Sequence, residues 1–311
     1  MAMDAHNFRV LVIGESGQVG QALQRTLVPL GQIYAPTIAD LDLANGSSIR
    51  KIVREFHPRW VVNAAAHTAV DKAESEPDLA FTINAVAPEI LAAEAKNIGA
   101  AIIHYSTDYV FDGSKKTPYN EFDATGPLNV YGKSKLAGEL AVGASGAPNF
   151  TFRTSWVYGA TGNNFLRSIL RLAAEREHLR IVGDQHGAPT WSFDLAQLTA
   201  HVIVQVEKLV AQTACSLAEA ALPISGLYHA SGRGETTWFG FASEAIAELQ
   251  KRQPDSRLAT IEAISTAQYP TAAKRPANSM LDCSKLESVF AWRMQDWQQS
   301  LSLVLDDLLR R

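Results

Sequence analysis

Short apolar runs alternate with helix-length segments through the first half of the chain. The runs lie at residues 10–13, 32–35, 60–63 and 101–105, and amphipathic segments lie between them at 19–30, 49–56 and 79–98. Strands of this kind are buried on both faces when helices cover a parallel sheet. The alternation therefore predicts an α/β fold built on a doubly wound parallel sheet.

A glycine motif follows the first apolar run directly. It reads GESGQVG at residues 14–20, and it opens the first amphipathic segment. Glycines at this place permit a tight strand-to-helix turn and let backbone N–H groups approach a pyrophosphate at a helix N-terminus. Glycines also form ordinary turns, so the position between strand and helix carries the inference. The motif predicts a dinucleotide ligand.

The chain is longer than one sheet of this kind requires. It has 311 residues, 47% of them hydrophobic and 19% charged, which fits a globular protein above the ~250–300 residues of a single core. The alternation loosens after residues 150–154, whereas residues 226–230 read as a late strand that rejoins the sheet. We therefore predict a Rossmann-type domain at 1–157 and about 191–232, and a smaller, discontinuous C-terminal substrate lobe at about 158–190 and 233–311.

The end of the second apolar run lacks the acidic residue that commonly holds an adenosine ribose. Ala35, Pro36 and Thr37 stand near that place, and no arginine for a 2′-phosphate accompanies them. The preference between NAD and NADP is therefore open. Asp40 and Leu41 follow shortly afterwards. This segment either holds the adenine end of the cofactor or caps the next helix, and both alternatives remain.

Two candidate catalytic side chains, Tyr131 and Lys135, are four residues apart in the stretch YGKSK. This spacing places them on one face of a helix, for which Pro127 is a candidate start. A phenol with a pKa near ~10 exchanges a proton at neutral pH when a neighbouring ammonium favours its phenolate form. The spacing also arises by chance, so the pair gains weight only from its position after the sheet strands.

Polar and small side chains end two of the predicted strands. Thr107 and Asp108 follow the run at 101–105, at the edge where open α/β sheets bind ligands. A hydroxyl there can bond a reacting carbonyl oxygen. Residues 63–66, Asn-Ala-Ala-Ala, end the preceding strand, and their small side chains either let a flat ring lie against the backbone or pack in the core.

Composition and charge exclude several classes of function. The formal net charge is -4, and no block of consecutive Lys or Arg is present, so nucleic acid is not expected as a partner. No apolar run approaches the ~20 residues that a bilayer requires, so we expect no membrane span. The two cysteines, Cys215 and Cys283, form no CxxC pair, which argues against a disulfide framework and a zinc site. A cytoplasmic protein is expected.

Taken together, these motifs resemble the extended short-chain dehydrogenase/reductase superfamily. The later stretches resemble those members that reduce dTDP-linked 4-keto-6-deoxy sugars, and the matches extend over nearly the whole chain. The matching stretches are GESGQVG at 14–20, VNAAAHTAVDKAESEP at 62–77, HYSTDYVFDG at 104–113, PLNVYGKSKLAGE at 127–139, FRTSWVYG at 152–159, NNF at 163–165, DQHGAPT at 184–190, GLYHASG at 226–232 and RPANSMLD at 275–282.

The resemblance implies roles for individual residues. It implies that Tyr131 donates a proton, that Lys135 holds the nicotinamide ribose and tunes Tyr131, and that Thr107 bonds the substrate carbonyl. The implied cofactor contacts are Gly14, Gly17, Gln18, Val19, Gly20, Ala64, Ala65 and Ala66. The candidate substrate contacts are Thr107, Asp108, Trp156, Asn164 and Arg275. An indole is more often part of a core, and Arg275 equally fits a surface ion pair.

The implied reaction is reduction of the C4 ketone of dTDP-6-deoxy-L-lyxo-4-hexulose. The hydride comes from NADPH or NADH, with NADPH favoured, and Thr107 and Tyr131 stabilise and protonate the alkoxide. Some relatives use Mg²⁺ at a dimer contact, but acidic ligands at the corresponding positions have no match here, so no metal is predicted. A homodimer is left open. We expect the Glu15 side chain to point to solvent, because a carboxylate repels a pyrophosphate.

Three alternative functions remain. A 4,6-dehydratase of the superfamily carries a second acid after the Thr-Asp pair, and Tyr109 stands at that place here. A 4-epimerase on tightly held NAD is not fully excluded by sequence. The third reading, from a different class, is a regulatory subunit that keeps the fold without catalysis, and the intact Thr107, Tyr131 and Lys135 set argues against it.

Overall fold

A computed structural model describes residues 8–310 of the chain. Its strands are β1 (Arg9–Ile13), β2 (Gln32–Tyr34), β3 (Trp60–Asn63), β4 (Ala101–Thr107), β5 (Asn149–Thr154), β6 (Val157–Tyr158), β7 (His178–Val182), β8 (His186–Gly187), β9 (Thr190–Trp191), β10 (Gly226–His229), β11 (Thr236–Thr237) and β12 (Thr260–Ile264).

The helices are α1 (Gln18–Thr26), α2 (Gly46–Phe56), α3 (Val70–Ala73), α4 (Pro77–Phe81), α5 (Ala87–Asn97), α6 (Val130–Ala144), α7 (Phe165–Glu175), α8 (Ser192–Thr213), α9 (Leu217–Ala221), α10 (Trp238–Arg252), α11 (Ser284–Phe290) and α12 (Trp297–Leu309). Short 3₁₀ turns and one π turn at Thr82–Val86 supplement them. None of the helices in the described part of the chain is long and apolar enough to cross a membrane.

The central sheet has six parallel strands in the order β10-β5-β4-β3-β1-β2. Its central strands are apolar and fully buried because helices cover both faces. On one face α1 and α8 pack around Leu23 and Val202, and on the other α2 and α5 pack around Ile49 and Leu91. The predicted doubly wound parallel sheet is confirmed, and so is the late strand that rejoins it.

The chain order of the sheet reverses between β1 and β3, which are neighbours although β2 separates them in sequence. Loops that follow two strands on either side of such a point diverge and leave a crevice at their carboxyl ends. Here these loops are the glycine motif after β1 and the alanines at 64–66 after β3. The fold therefore opens its crevice at the predicted dinucleotide motif.

A second group of elements packs beside the carboxyl edge of the sheet. Strands β7 and β12 pair in parallel, and α7, α10 and α12 pack around Phe241, Trp297 and Leu301. The Trp297 and Phe241 rings meet edge to face at 5.8 Å. These elements come from the two chain segments predicted for the smaller lobe, although the exact boundaries at 157, 190 and 232 remain a prediction.

Two helix starts differ from expectation. Helix α6 begins at Val130 and not at Pro127, because the Asn129 side chain accepts a hydrogen bond from the Gly132 amide and caps the helix. The amphipathic segment at 19–30 forms α1 only to Thr26 and then a 3₁₀ turn that contains Pro29, since proline cannot continue the α-helical hydrogen bonding.

Candidate active site

A cavity of about 750 Å³ lies at the carboxyl edge of the sheet. Loops after β1, β2, β3, β4 and β5 line it, together with the first turns of α6 and α10. Thirteen of the predicted site residues line this cavity: Gly14, Gly17, Gln18, Val19, Leu41, Ala64, Ala65, Ala66, Thr107, Asp108, Tyr131, Lys135 and Trp156. The other four do not: Gly20, Asp40, Asn164 and Arg275.

The glycine loop is shaped so that side chains cannot replace its hydrogens. Gly14 has φ +93°, and a Cβ there would lie 2.7 Å from the Ala65 nitrogen. A Cβ on Gly20 would lie 1.9 Å from the Gly14 oxygen, so Gly20 serves the close packing of α1 on the loop and not the cavity wall. A Cβ on Gly17 would meet only the Gly14 oxygen, at 3.3 Å. The loop leaves an open cradle before the N-terminus of α1, which suits a pyrophosphate.

Glu15 departs from the expectation that it points to solvent. The residue is half-buried and lines the cavity, and one of its carboxylate oxygens is shielded without a hydrogen-bond partner in the described structure. Gln24 bonds the Glu15 backbone oxygen at 2.9 Å, which fixes the loop but not the carboxylate. The Glu15 side chain is therefore partly shielded within the motif and not fully exposed to solvent.

At the adenine end, the structure separates Asp40 from Leu41. The exposed Asp40 carboxylate accepts bonds from the Thr37 amide at 3.1 Å and the Thr37 hydroxyl at 2.7 Å. These bonds hold the pKa of Asp40 below its usual value. The cap of α2 is Asn45, so the helix-capping alternative for Asp40 is wrong. Leu41 is buried and lines the cavity.

Tyr131 and Lys135 lie in the first turns of α6, as the four-residue spacing predicted. Lys135 is 2% exposed, and its Nζ donates to the Tyr105 backbone oxygen of β4. Burial lowers the pKa of Lys135 to about 8, against the opposing effect of the Glu139 carboxylate. The lysine is therefore close to losing its charge at mildly alkaline pH.

Burial favours the protonated form of the Tyr131 phenol. It raises the pKa of Tyr131 to about 12, the nearby Thr107 hydroxyl opposes this shift, and Asp108 adds to it. The Lys135 ammonium is directed to the Tyr105 carbonyl. A phenol that keeps its proton suits a proton donor, and the tuning of Tyr131 by Lys135 remains a prediction.

Thr107 and Asp108 stand where β4 ends, next to Tyr131. The Tyr109 amide donates to Thr107 Oγ1 at 3.2 Å, so the hydroxyl is fixed as the cap of a 3₁₀ turn. Burial raises the pKa of Asp108 to about 6, with hydrogen bonds from Ser279 and Thr107 opposing it. One Asp108 oxygen is buried and lacks a partner that meets bonding geometry in the described structure. Asp108 is therefore a carboxyl group that is costly to ionise.

Trp156 lines the cavity in a backbone conformation that is rare for a large residue, with φ +48°. Its ring stacks on Trp238 with centroids 3.7 Å apart and an interplanar angle of 12°. A Cβ at Gly187 would lie 2.7 Å from the Trp156 ring, so that glycine makes room for the indole. Trp238 also lines the cavity and was missed from sequence, where nothing distinguishes it from a core indole of α10.

Asn164 and Arg275 have structural partners elsewhere. Asn164 caps α7 through the Arg167 amide, and its Nδ2 donates to Gln18 Oε1 at 2.9 Å. Arg275 donates to the two Asp71 carboxylate oxygens at 3.3 Å and 2.7 Å, which is the ion-pair alternative considered for it. Neither side chain is brought to the cavity wall, so their assignment to the substrate remains a prediction.

Residues 8–310 contain no group of three or more His, Cys, Asp or Glu side chains arranged to hold a metal ion. The acidic side chains of the cavity are spread along it. Glu15 and Asp42 lie at one end and Asp108 at the other, next to Thr107.

The fold and the site together define a class of protein. A glycine cradle at the switch point of a parallel sheet, with a tyrosine, a lysine and a strand-end threonine in the same cavity, is the arrangement of a nicotinamide-dependent short-chain dehydrogenase/reductase. Residues 8–310 match the family described as the RmlD substrate binding domain, and the chain belongs to this family.

Curated relatives and solved structures agree with this assignment. The dTDP-4-dehydrorhamnose reductase of Burkholderia thailandensis is 45% identical, with 97% of this chain and 99% of that protein covered. The Escherichia coli K12 protein of the same name is also 45% identical, over 96% of this chain and 97% of its own.

Two crystal structures are similar over almost the whole chain. A dTDP-4-dehydrorhamnose reductase from Clostridium acetobutylicum gives a TM-score of 0.86 at 36% identity, with 98% of this chain and 100% of that chain covered. The Bacillus anthracis protein of that name, in complex with NADP, gives 0.83 at 34% identity, with 96% and 99% covered. A UDP-glucose 4-epimerase from Thermus thermophilus is 17% identical and shares only the fold.

Proposed function

We propose that this protein reduces the C4 ketone of dTDP-6-deoxy-L-lyxo-4-hexulose to dTDP-L-rhamnose, the last step in making that sugar nucleotide. The observation that carries the proposal is the placement of Tyr131, Lys135 and Thr107 in one cavity with the glycine cradle. Relatives at 45% identity that are named dTDP-4-dehydrorhamnose reductase support it.

The cavity suits a nicotinamide dinucleotide, which when bound supplies the hydride. Gly14 and Gly17 leave the cradle free of side-chain atoms, and the N-terminus of α1 presents backbone N–H groups to a pyrophosphate. Gln18, Val19 and the alanines at 64–66 form the adjoining wall. The relative crystallised with NADP supports NADPH as the reductant, and NADH is the alternative.

Tyr131 gives its proton to the substrate oxygen as that oxygen becomes an alkoxide. The raised pKa keeps the phenol protonated at neutral pH, so that a proton is available at the start of every turnover. Thr107 lies beside the Tyr131 hydroxyl and donates to the same oxygen once its proton is released from Asp108. Both side chains are held by backbone elements, α6 and the end of β4, so little reorganisation is needed when charge develops.

The sugar end of the cavity is walled by two stacked indoles. The stacked Trp156 and Trp238 rings present an apolar surface to the cavity, which suits the methyl and ring carbons of a 6-deoxy sugar. A cytoplasmic location is proposed from the two unpaired cysteines, which suit a reducing compartment. A homodimer remains a prediction, which sedimentation measurements of the purified protein test.

A dehydratase would need a base where Tyr109 stands. Burial raises the pKa of Tyr109 far above neutral, with Asp108 adding to the shift, so its phenol stays protonated and cannot remove a C5 proton. The proposal therefore keeps reduction in preference to elimination.

Isotope transfer tests the proposal. The purified protein is incubated with the 4-keto sugar nucleotide and NADPH that carries deuterium at both hydrogen positions of nicotinamide C4, and the product is analysed by NMR. We expect dTDP-L-rhamnose with deuterium at C4 of the sugar. Product without deuterium, or a sugar still oxidised at C4, contradicts the proposal and favours epimerisation or a regulatory role.

A further inference from the structure

A buried network of charges lies behind Lys135 and is not used by the mechanism above. Glu139 is on the same helix, four residues after Lys135, and is 7% exposed. Its carboxylate accepts from Ser106 Oγ at 2.8 Å and from Arg153 Nε at 3.0 Å, and it also bonds Arg153 Nη2. Arg153 lies on β5 and is 3% exposed. The carboxylate thus bonds one buried cation, Arg153, and lies about one helical turn along α6 from a second, Lys135.

The two neighbouring histidines add no charge to this network, and the carboxylates of Glu121 and Asp282 lie on the far side of His229, where Glu121 accepts from its backbone amide at 2.8 Å. His229 on β10 faces Arg153 Nη1 from 3.5 Å, and burial lowers the pKa of His229 to about 3, so it is neutral. His104 on β4 lies near Lys135, and burial lowers its pKa well below the usual value. Arg153 also rests over the Phe111 ring at 4.9 Å. Among the described residues, Glu139 is the only charge that acts on Lys135 to oppose the effect of burial.

We propose that Glu139 is a positioning residue of the proposed reduction: its carboxylate, fixed by Arg153 and Ser106, keeps Lys135 charged within hydrogen-bonding reach of the Tyr105 carbonyl. The inference rests on the proposed function for its effect on turnover, but the charge state of Lys135 is a property of the protein alone. A buried ammonium without an anion releases its proton, because burial penalises the charged form.

The test changes the charge of Glu139 with its shape preserved. In Glu139→Gln the pKa of Lys135 falls by about one unit, as expected for loss of an opposite charge. The neutral amine is then about tenfold more abundant at pH values well below both midpoints. Two readouts are measured. The first is the pH dependence of trace acetylation of Lys135 in the cofactor-free protein, by peptide mass spectrometry. The second is the alkaline limb of kcat/KM.

Folding of the variant needs a safeguard, because Glu139→Gln leaves Arg153 buried without a partner. The double variant Glu139→Gln with Arg153→Met removes both charges, so both midpoints again move to lower pH, but by less than in Glu139→Gln, because a nearby cation is lost together with the anion. Glu139→Asp keeps the charge and is expected to restore the wild-type midpoints.

Glu94→Gln is the matched control. Glu94 is 3% exposed on α5, and it accepts from Arg54 at 2.6 Å and 2.8 Å, so its loss also breaks an ion pair of a buried carboxylate, here with an exposed arginine. It does not line the cavity, and the Lys135 midpoints stay at the wild-type value.

The outcomes separate the inference from the proposed function. Unchanged acetylation midpoints in folded Glu139→Gln and in the double variant overturn the inference, even if the enzyme is active. A shifted acetylation midpoint in a protein that reduces no sugar sustains the inference and removes the proposed function. Equal shifts in Glu94→Gln assign the effect to general loosening of the fold and overturn the role of Glu139.

Discussion

Thr107 Oγ1 donates to Asp108 Oδ1 at 2.9 Å, and this bond engages the only proton that the threonine hydroxyl carries. Thr107 can donate to a substrate oxygen only when that proton is released from Asp108. A protonated Asp108 achieves this, because its carboxyl group can donate to Thr107 in turn. Burial raises the pKa of Asp108 to about 6 and thereby favours the protonated form that frees Thr107 to donate.

Asp108 is predicted to make the protein less stable as pH rises. Its pKa in the folded protein, about 6, is above the unfolded value of ~3.9, so the folded state binds its proton more tightly. The contribution to stability is fully present below pH ~3.9 and is lost as pH rises through about 6, for a total of about 3 kcal/mol. Asp108→Asn should not show this decrease of stability as pH rises. Urea unfolding of both proteins at pH 4.5 and pH 7.5 measures it, and an equal pH dependence would show that Asp108 ionises freely.

Removal of the Thr107 hydroxyl should slow the reaction without loosening the site. Thr107→Val keeps the shape but loses a donor to the developing alkoxide, and kcat is expected to fall about 100-fold. Thr107→Ser retains the hydroxyl and should keep most of the rate. If Thr107→Val only raises KM, the threonine binds the ground state and does not stabilise the transition state.

Trp238 is predicted to act through Trp156. In Trp238→Ala, loss of the stack at 3.7 Å frees the Trp156 ring, and KM for the sugar nucleotide should rise about five- to tenfold, equivalent to ~1 kcal/mol of aromatic contact. Affinity for NADPH, measured by fluorescence, should be unchanged. Trp292→Ala is a control outside the cavity, since that indole faces His201. Weaker NADPH binding in Trp238→Ala would contradict a role confined to the sugar end.

Two glycines of α6 should respond in opposite directions to the same substitution. A Cβ on Gly138 would lie 1.9 Å from the Asn84 backbone oxygen, so Gly138→Ala must separate α6 from the π turn and should destabilise the protein by about 3 kcal/mol. Nothing lies within 4 Å of a Cβ on Gly143, and Gly143→Ala should stabilise by up to about 1 kcal/mol. Thermal unfolding of the two variants compares them, and equal effects would mean that α6 is not fixed at this contact.

The sequence predicted the parallel sheet because strand-length apolar runs and helical segments leave distinct periods. The same pattern located Thr107, Tyr131 and Lys135, since strand ends and a four-residue helical spacing converge on one edge of a sheet. What it could not supply was pairing between side chains far apart in the chain. Arg275 is held by Asp71, 204 residues away. Asn164 is committed to Gln18, and only the folded chain reveals that.

Loop geometry was the other limit. Asp40 bonds Thr37 three residues before it, and Asn45 takes the capping role, a choice between two residue types with similar propensity. Glu15 faces the cavity because the loop at Gly14 and Gly17 fixes its backbone, and no period in the sequence encodes that direction. Glu139 was within a matching stretch, but its partner Arg153 lies on a neighbouring strand.

The central claim is that Tyr131 protonates the C4 oxygen while hydride reduces the sugar. The most direct measurement follows oxidation of NADPH, and of NADH in parallel, by wild type and Tyr131→Phe with dTDP-6-deoxy-L-lyxo-4-hexulose. We predict oxidation by wild type and a loss of at least about 100-fold in Tyr131→Phe, with NADPH binding retained. Two results contradict the account. One is a folded wild type that binds NADPH but oxidises neither NADPH nor NADH with this substrate, and the other is a Tyr131→Phe variant that is as fast as wild type.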